Sequence, residues 1–523
     1  MDAPAPVASA PAVDRRRLFL GSCLALIATS TIFAVIGAAM GPLRGEFGLT
    51  NAQAGWIGGA ATVGFTIPML LLGGFIDRLG MRRVMTLAFL SHLAGVLLMI
   101  VAAPLAGDAA FALLVVGALV LAVGNGCVEG ACNPLVTALY PEDKTVKLNQ
   151  FHVWFPGGIV LGGLGVWALD LAGVGSWQLY LALVLIPTVL YAGLFAGQAF
   201  PPTERVVRGF TEGEMWRAAL LNPFMLLMLA LMAVTASVEL GPNRWVPTFV
   251  EGAGLPGILV LVYISGLMAV LRYFAGAAVH RLQPTGVLLA SSVLAGLGLL
   301  WLSAAQGLVP TLAAATVFAL GVTYFWPTML GVVAERNVAG GALALALMGG
   351  MGMAATGLVA TPVIGDLADR YAYAELAPAE VAPVLDGAAA ELQAAVAEAP
   401  DAARAADLGA AAASVRAVAD DAAAGTPLPP SATEALRTAS SLGALGPATE
   451  RAGAVLAQAD AVGGRMAFRW MALLSLALAP VFALMWWRSR RAPELSGDGA
   501  TPHAGPGEPV VEAAQARAGV TAQ

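Results

Sequence analysis

Residues 73–83 read Gly-Gly-Phe-Ile-Asp-Arg-Leu-Gly-Met-Arg-Arg and join two long apolar runs, one near 53–76 and one near 84–104. The connection is short and carries three arginines, Arg78, Arg82 and Arg83. Lys and Arg concentrate in the short cytoplasmic loops of membrane proteins. The stretch therefore predicts two membrane helices joined by a cytoplasmic loop, and it leaves Asp77, an acid among the arginines, to be explained.

The composition extends this prediction to the whole chain. Of 523 residues, 59% are hydrophobic and 11% are charged, whereas about 25% are charged in ordinary soluble domains. This excludes a soluble globular protein. Twelve spans of about 20 residues each fit within the chain and leave room for loops. We expect an all-α polytopic membrane protein.

Apolar runs bounded by charges and turn residues predict twelve spans in two groups of six. The first group lies near 18–43, 53–76, 84–104, 110–139, 148–169 and 178–200, and the second near 223–250, 256–279, 285–303, 308–333, 342–365 and 467–487. Residues 18–200 then form an N-terminal half, and 223–365 with 467–487 form a C-terminal half. A polar cytoplasmic linker, 201–222, joins the two halves.

The short loops decide the orientation. With both termini in the cytoplasm, that side receives most of the basic residues, and the opposite short loops receive only Arg44 and Arg244. We expect a multi-pass protein of a bacterial-type inner membrane, in contact with lipid and monomeric. The tails 1–17 and 488–523 are predicted to be disordered.

The segment 366–466 accounts for the acidity of the chain. It holds 14 Asp and Glu and 6 Arg, a balance of −8 against −6 for the whole chain. Because the remainder is only weakly basic, nucleic acid is not an expected partner. We predict an extracytoplasmic Ala-rich insertion, with a small helical cap and plain disorder both left open.

An internal repeat relates the two halves. Met40–Arg44, at the end of the first span, returns as Leu240–Arg244, and Gly73–Leu79 returns as Gly276–Leu282. Pro134 and Pro327, and Gly157 and Gly349, continue the series in the same order. Two six-helix halves are typical of secondary transporters whose solute site lies between them near the bilayer midplane.

The motif at 73–83 also resembles the loop between helices 2 and 3 of the major facilitator superfamily. The resemblance covers Gly73, Asp77, Arg78, Gly80, Arg82 and Arg83, together with the two-half plan. It implies the major facilitator fold, and it implies that these residues form a cytoplasmic gate. Asp77 would close that gate by contacting the N-terminal end of helix 11, near Gly340–Ala342.

A finer resemblance is to the fucose and related sugar–proton symporter branch. It rests on Leu49–Gly55, on Glu129–Pro134 and on Leu148–Gln150 with His152. It implies that the glutamate matching Glu129 carries the coupled proton. That branch also has an aspartate in helix 1, but Gly37–Met40 contains no acid here.

Three ionisable residues, Glu129, Glu239 and Arg272, fall well inside apolar spans, where charges are costly and usually functional. Burial favours the neutral form of an acid, so Glu129 can load a proton on one side and release it on the other. Glu239 takes the position that Ala39 has in the other half. We treat it as a second coupling acid or as a cap of the helix break that follows it. Counted from opposite membrane faces, Glu239 and Arg272 are not expected to pair.

Further polar and aromatic residues complete the predicted solute site. Asn125 and Asn133 flank Glu129 at four-residue spacing and should face the cavity together with it. Arg272 is expected to hold a substrate oxygen, to latch a carboxylate or to snorkel. The ring of a sugar stacks on aromatic side chains, and its hydroxyl groups form hydrogen bonds with side-chain amides. The remaining candidates for the solute site are therefore the amides Asn149 and Gln150 and the aromatic residues Trp154, Tyr324 and Trp326.

These features predict a secondary active transporter of a small polar solute, a sugar or sugar derivative, that works by alternating access with proton coupling. Neither a metal site, a cofactor nor an enzyme constellation is apparent. Two alternatives stay open. One is an organic-anion exchanger that uses Arg44 and Arg244, and the other is a non-transporting solute sensor that uses the insertion.

Overall fold

The computed structural model describes residues 13–47, 49, 51–105, 107–251, 257–423, 428–429, 431–441 and 445–491. Within these ranges the chain is helical and contains no strand. Most of the two predicted tails, 1–12 and 492–523, lies outside the described residues. The side chain of Arg244 also lies outside them.

Eleven described helices are long and apolar enough to cross a membrane, and a further apolar helix is shorter. In chain order the helices are α1 (Arg15–Phe47), α2 (Gln53–Leu79), α3 (Met81–Val101), α4 (Gly107–Leu139), α5 (Lys144–Leu171), α6 (Trp177–Phe195), α7 (Pro223–Glu251), α8 (Gly257–Tyr273), α9 (Ala275–Leu302), α10 (Leu308–Arg336), α11 (Val338–Glu375) and α12 (Pro447–Arg491). This is a multi-pass membrane protein. The count of twelve spans and the orientation of the termini stay predictions.

The helix α8 is short because the chain bends just after it. Its described part ends at Tyr273, and α9 begins at Ala275. Inside α9, Gln283 has φ 62, which breaks the helix just before Pro284. The turns from Ala275 to Leu282 therefore correspond to the end of the eighth predicted span, 256–279, and the ninth span begins at the break.

Packing divides the helices into two groups, α1–α6 and α7–α12. In the first group α4 packs on α2 and α3, and α1 packs on α5 and α6. In the second, α9 packs on α10 and α12, and α7 packs on α11. The linker contains two short helices, Glu204–Val207 and Glu212–Leu220. The second begins with a capping box between Thr211 and Glu214.

The two groups meet along α2 with α11 and along α5 with α8 and α10. Within the described part of the chain, hydrogen bonds and ion pairs join the two groups from the middle of the bundle towards the linker. They join Lys144 to the carbonyl of Ala334, Thr145 to Glu335, Asn149 to Thr328, Arg272 to the carbonyl of His152, and Asp143 to His280. We call the end of the bundle nearest residues 201–222 the linker side. The structure is closed on this side.

The insertion between α11 and α12 is a helical unit with its own core. Its helices are Pro378–Ala395, Ala402–Ala423 and Ala432–Ser441. They pack on one another, and the first and third also pack on α12. Small apolar side chains fill the core, with Leu385, Leu392 and Val415 fully buried. The charged side chains surround this core, because burying an unpaired charge is costly.

Candidate functional site

Three ionisable side chains are buried in the middle of the helix bundle. Glu129 on α4, Glu239 on α7 and Arg272 on α8 are 2%, 3% and 1% exposed. An unpaired charge in such surroundings costs several kcal/mol. The partners of each group therefore decide what it does.

Glu129 lies between an amide and an imidazole. The Nδ2 of Asn133, one turn later on α4, donates to Glu129 Oε2 at 2.7 Å. The Nε2 of His152 on α5 lies 3.5 Å from the same oxygen. Both side chains are buried, so Glu129 faces a buried imidazole ring.

Glu239 and Arg272 form a buried ion pair, with 2.6 Å between Glu239 Oε1 and Arg272 Nη2. The prediction that they do not pair is wrong. Helical side chains lean towards the N-terminus of their own helix. Because α7 and α8 are antiparallel, these two long side chains lean towards each other and close the difference in depth. The backbone N–H of Trp326 donates to the second oxygen of Glu239 at 3.1 Å.

Arg272 also binds two backbone carbonyls that proline leaves free. Its Nε donates to the carbonyl of Thr323 at 2.6 Å, and its Nη1 donates to that of His152 at 3.1 Å. In a helix each carbonyl accepts from the residue four positions later. Those positions are Pro327 and Pro156, which have no N–H to donate. Arg272 therefore satisfies one orphan carbonyl in each half and joins the halves.

The polar row on α4 is divided between two environments. Asn125 binds the Nε2 of His92 on α3 at 3.0 Å, and Tyr191 lies 3.2 Å from the other ring nitrogen. The prediction that Asn125 faces the same site as Glu129 is wrong. Each four-residue step turns the helix by about 40°, so Asn125 and Asn133 point about 80° apart.

Several buried polar atoms in the two halves have no hydrogen-bond partner. Asn133 Oδ1, Asn149 Oδ1, His152 Nε2 and the indole Nε1 of Trp326 belong to this set. Asn149 lies at the interface between halves, where its Nδ2 donates to Thr328 Oγ1 at 3.2 Å. Buried polar groups are normally satisfied. Two acceptors, one donor and one titratable nitrogen are therefore available near the interface.

The other predicted solute residues are more scattered. Gln150 accepts a hydrogen bond from Lys147 at 3.0 Å, away from Glu129. The Tyr324 hydroxyl donates to the carbonyl of Leu271 at 3.0 Å. Trp154 is 38% exposed, and its backbone carbonyl accepts from Ser30. The Trp326 ring packs where glycines leave room, at Gly349 and Gly352 on α11.

The gate motif at 73–83 makes a different contact from the one that the resemblance implied. Asp77 binds the buried guanidinium of Arg205 at 2.6 Å and the hydroxyl of Thr203 at 2.6 Å. Arg205 in turn lies against Gly341, where an added Cβ would be 2.9 Å from it. The linker therefore stands between Asp77 and the start of α11.

The rest of the motif fits a tight turn on the linker side. A Cβ on Gly73 would lie 2.5 Å from Ala346 on α11, so this glycine permits close packing between the halves. Gly80 has φ +80, which glycine adopts readily. Arg78 binds Glu212 in the linker at 2.6 Å, and this bond lowers the pKa of Glu212 below its usual range. Arg82 and Arg83 are exposed.

The sequence did not identify His152 as the partner of Glu129, nor Arg205 as the partner of Asp77. The positions of Pro156 and Pro327 were a usable signal, because each proline frees a carbonyl four residues earlier. Among the residues that the structure describes, no group of three His, Cys, Asp or Glu side chains is placed to hold a metal ion.

A sequence profile described as Major Facilitator Superfamily matches residues 18–358. Among curated proteins, myo-inositol transporter 3C of Cryptococcus neoformans var. grubii is 25% identical over 184 residues. This match covers 34% of the present chain and 30% of that transporter. The chain therefore matches less than a third of the length of this relative.

Solved structures of transporters are similar in fold. The Escherichia coli fucose:proton symporter FucP, in its outward conformation, has TM-score 0.56 and 20% identity, covering 67% of this chain and 92% of FucP. The E. coli proton:xylose symporter XylE has TM-score 0.56 and 14% identity, with coverages of 67% and 88%. The human organic anion transporter MFSD10 has TM-score 0.51 and 16% identity, with coverages of 67% and 94%. At these identities the likeness shows the fold alone.

Proposed function

The chain belongs to the major facilitator superfamily, and on this premise we propose that it moves a small polar solute by alternating access with coupled proton movement. One observation carries the proposal. Glu129 is buried and lies 3.5 Å from the ring of His152, whose backbone carbonyl binds Arg272 of the other half. Burial favours the neutral form of a carboxyl group, so a change in access to water favours a change in its charge.

The unpartnered polar atoms support a polyhydroxylated solute, a sugar or sugar derivative. A hydroxyl group both donates and accepts, so it suits the free amide oxygens of Asn133 and Asn149 and the free indole N–H of Trp326. The names of the similar proteins agree with this class, since they include an inositol transporter, a fucose symporter and a xylose symporter.

The pairing of the buried charges favours a neutral solute over an organic anion. The Nε, Nη1 and Nη2 atoms of Arg272 already donate to protein acceptors, and Glu239 balances its charge. Arg44 is exposed at the far end of α1. An anion exchanger needs a free cation at the site, and the described interface offers Arg272 only in its paired form.

The contacts between the halves support alternating access. Contacts between the two halves keep the linker side closed, and the ion pair of Asp77 with Arg205 adds to these contacts. Opening this side requires these contacts to break while contacts form at the opposite ends of the helices. We propose a cytoplasmic linker, cytoplasmic termini, residence in a bacterial-type inner membrane and a monomeric transporter.

Uptake into proteoliposomes tests the function. The native protein and Glu129→Gln would receive a mixed panel of sugars, polyols and organic acids, with and without an inward proton gradient. We expect gradient-driven accumulation of a neutral polyhydroxylated solute, its loss in Glu129→Gln, and retained exchange. Glu142→Gln is the matched control, because Glu142 is exposed on the linker side and pairs only loosely with Arg15 at 3.9 Å. Accumulation that persists in Glu129→Gln would refute the coupling role.

Deleting the insertion separates a transporter from a solute sensor. Gly463 of α12 packs on the backbone of Ala368 of α11, and this antiparallel register places Leu376 opposite about Val455. Residues 377–454 can therefore be replaced by a short Gly-Ser linker without moving either helix. We expect transport to survive. Loss of transport in a variant that still folds would support the sensor.

A further inference from the structure

We propose that Glu129 and His152 hold the coupled proton jointly, as a carboxylate–imidazole pair, so that His152 is part of the coupling site. This deepens the proposed function and rests on it. The proposal follows from the hydrogen bonds that fix the two side chains.

The tautomer of His152 is determined by its own helix. Its Nδ1 lies 2.9 Å from the backbone carbonyl of Leu148. A carbonyl oxygen only accepts, so Nδ1 carries a hydrogen. In the neutral ring the other nitrogen, Nε2, then has a lone pair, and it is Nε2 that faces Glu129 Oε2 at 3.5 Å. Two lone pairs repel each other, so this approach is favourable only with a proton between the two atoms.

The amide of Asn133 holds the Glu129 carboxyl group in place beside the imidazole. Its Nδ2 lies near two acceptors, the backbone carbonyl of Glu129 at 2.9 Å and Glu129 Oε2 at 2.7 Å. The amide orientation is thereby fixed, because the oxygen of the amide in that place would meet two acceptors. The oxygen that accepts from Asn133 is the same Oε2 that faces the imidazole. The proposal places the shared proton on Nε2, as an imidazolium facing a carboxylate.

The charges around the pair leave it balanced. Glu239 and Arg272 of the other half lie close to His152, and they neutralise each other. The thiol of Cys132, on the same helix as Glu129, is the further titratable neighbour. With one shared proton, the four ionisable groups carry no net charge. A second proton on the Glu129 carboxyl gives the cluster one positive charge, and loss of the shared proton gives it one negative charge.

The main chain of His152 connects the charge of the Glu129–His152 pair to the opposite half. Its carbonyl is the one that Pro156 leaves free and that Arg272 binds. The α5 helix is also interrupted directly after His152, at Val153. When the second proton removes the carboxylate that faces the imidazolium, the His152 ring loses its partner. A movement of that residue then acts on the Arg272 contact between the halves.

Nitrogen-15 NMR of histidine tests the pair without any substrate. The full-length protein would be labelled at its four histidines, placed in lipid nanodiscs and measured near pH 7. In the native protein we expect His152 as an imidazolium. In Glu129→Gln we expect the neutral Nδ1–H tautomer, with the imidazolium fraction reduced about tenfold or more, because an opposite charge at short range favours the charged ring.

His92 provides the control in the same sample. It is buried, but its ring bonds Asn125 and Tyr191 rather than a carboxylate, so its signal should not change in Glu129→Gln. A second variant, His152→Gln, keeps the test independent of folding defects in the first. In it, the infrared carbonyl band of a protonated carboxyl group is expected to appear at a pH where the native protein lacks it.

A neutral His152 in the native protein, with a signal unaffected by Glu129→Gln, would overturn the pair. Proteoliposome uptake of the same variants tests the proposed function separately. Shared-proton signals without proton-driven uptake would remove the proposed function and leave the pair intact. Proton-driven uptake together with a neutral His152, whose signal does not change in Glu129→Gln, would support the proposed function and remove the pair.

Discussion

Two buried carboxylates, one in each half, are held in opposite ways. Glu239 receives a guanidinium at 2.6 Å and a backbone N–H at 3.1 Å. Glu129 receives one amide N–H and an imidazole nitrogen at 3.5 Å. A guanidinium is a permanently charged partner, whereas an imidazole exists in a neutral and a charged form. The comparison shows a tightly paired acid in the C-terminal half and a weakly held acid in the N-terminal half, and under the proposed function the second is the coupling acid.

The largest effect is expected from removing the fixed acid. Glu239→Gln leaves Arg272 buried without its counter-charge, and breaking a buried ion pair costs about 3–5 kcal/mol. We expect a strongly lowered thermal unfolding temperature in detergent. The double variant Glu239→Gln with Arg272→Gln should recover most of the loss. Normal stability in the single variant would mean that Glu239 is not a fixed acid.

A smaller effect on stability is expected at the labile acid. Glu129→Gln keeps a hydrogen-bonding side chain and removes only the charge, and its partner His152 can become neutral. We expect the free energy of unfolding to change by about 1 kcal/mol or less, while gradient-driven accumulation falls at least tenfold. The same samples serve for unfolding and uptake. A destabilisation as large as that of Glu239→Gln would abolish the distinction between the two acids.

The contact that joins the two sites can be weakened by restoring a helical hydrogen bond. Pro156→Ala supplies an N–H that competes with Arg272 for the carbonyl of His152. One neutral hydrogen bond is worth about 1 kcal/mol, so we expect about a fivefold shift away from the state that is closed on the linker side. Cysteine accessibility at introduced linker-side positions measures this shift. Pro187→Ala in α6, away from the interface, is the control and should not change accessibility.

The smallest effect on stability is expected at an acid outside the apolar spans. Glu391 in the insertion accepts from the backbone N–H groups of Ala448 and Thr449 at the start of α12, at 2.8 and 2.9 Å. Burial acts to raise the pKa of Glu391, but these bonds outweigh it and lower the pKa below its usual range.

Because the folded-state pKa is lowered, Glu391 stabilises the insertion above its unfolded pKa of about 4.3 and loses that contribution as the pH falls further. We expect less than about 1 kcal/mol, since the site is close to water. The pH dependence of insertion unfolding, compared between the native protein and Glu391→Gln, measures it. If the stability of the insertion falls in the same way at acidic pH in both proteins, Glu391 does not stabilise the start of α12.

The difference between what was and was not predictable follows from particular residues. Residues 73–83, the hydropathy and the internal repeat sufficed for the family and for the all-helical membrane plan. Glu129 was found because any charge inside an apolar run is conspicuous. The pair between Glu239 and Arg272 was missed because counting residues from the membrane faces ignores the direction in which helical side chains lean.

The sequence by itself determined the composition of the spans, the positions of Glu129, Glu239 and Arg272 inside them, and the two prolines that free carbonyls in α5 and α10. These are properties of local hydropathy and of backbone chemistry. Only the tertiary structure decided which charges meet, because Glu129 with His152, and Arg272 with Glu239, are brought together by packing between helices. Whether a buried carboxylate is fixed or labile depends on that partner, and a partner on another helix has no signature in the local sequence.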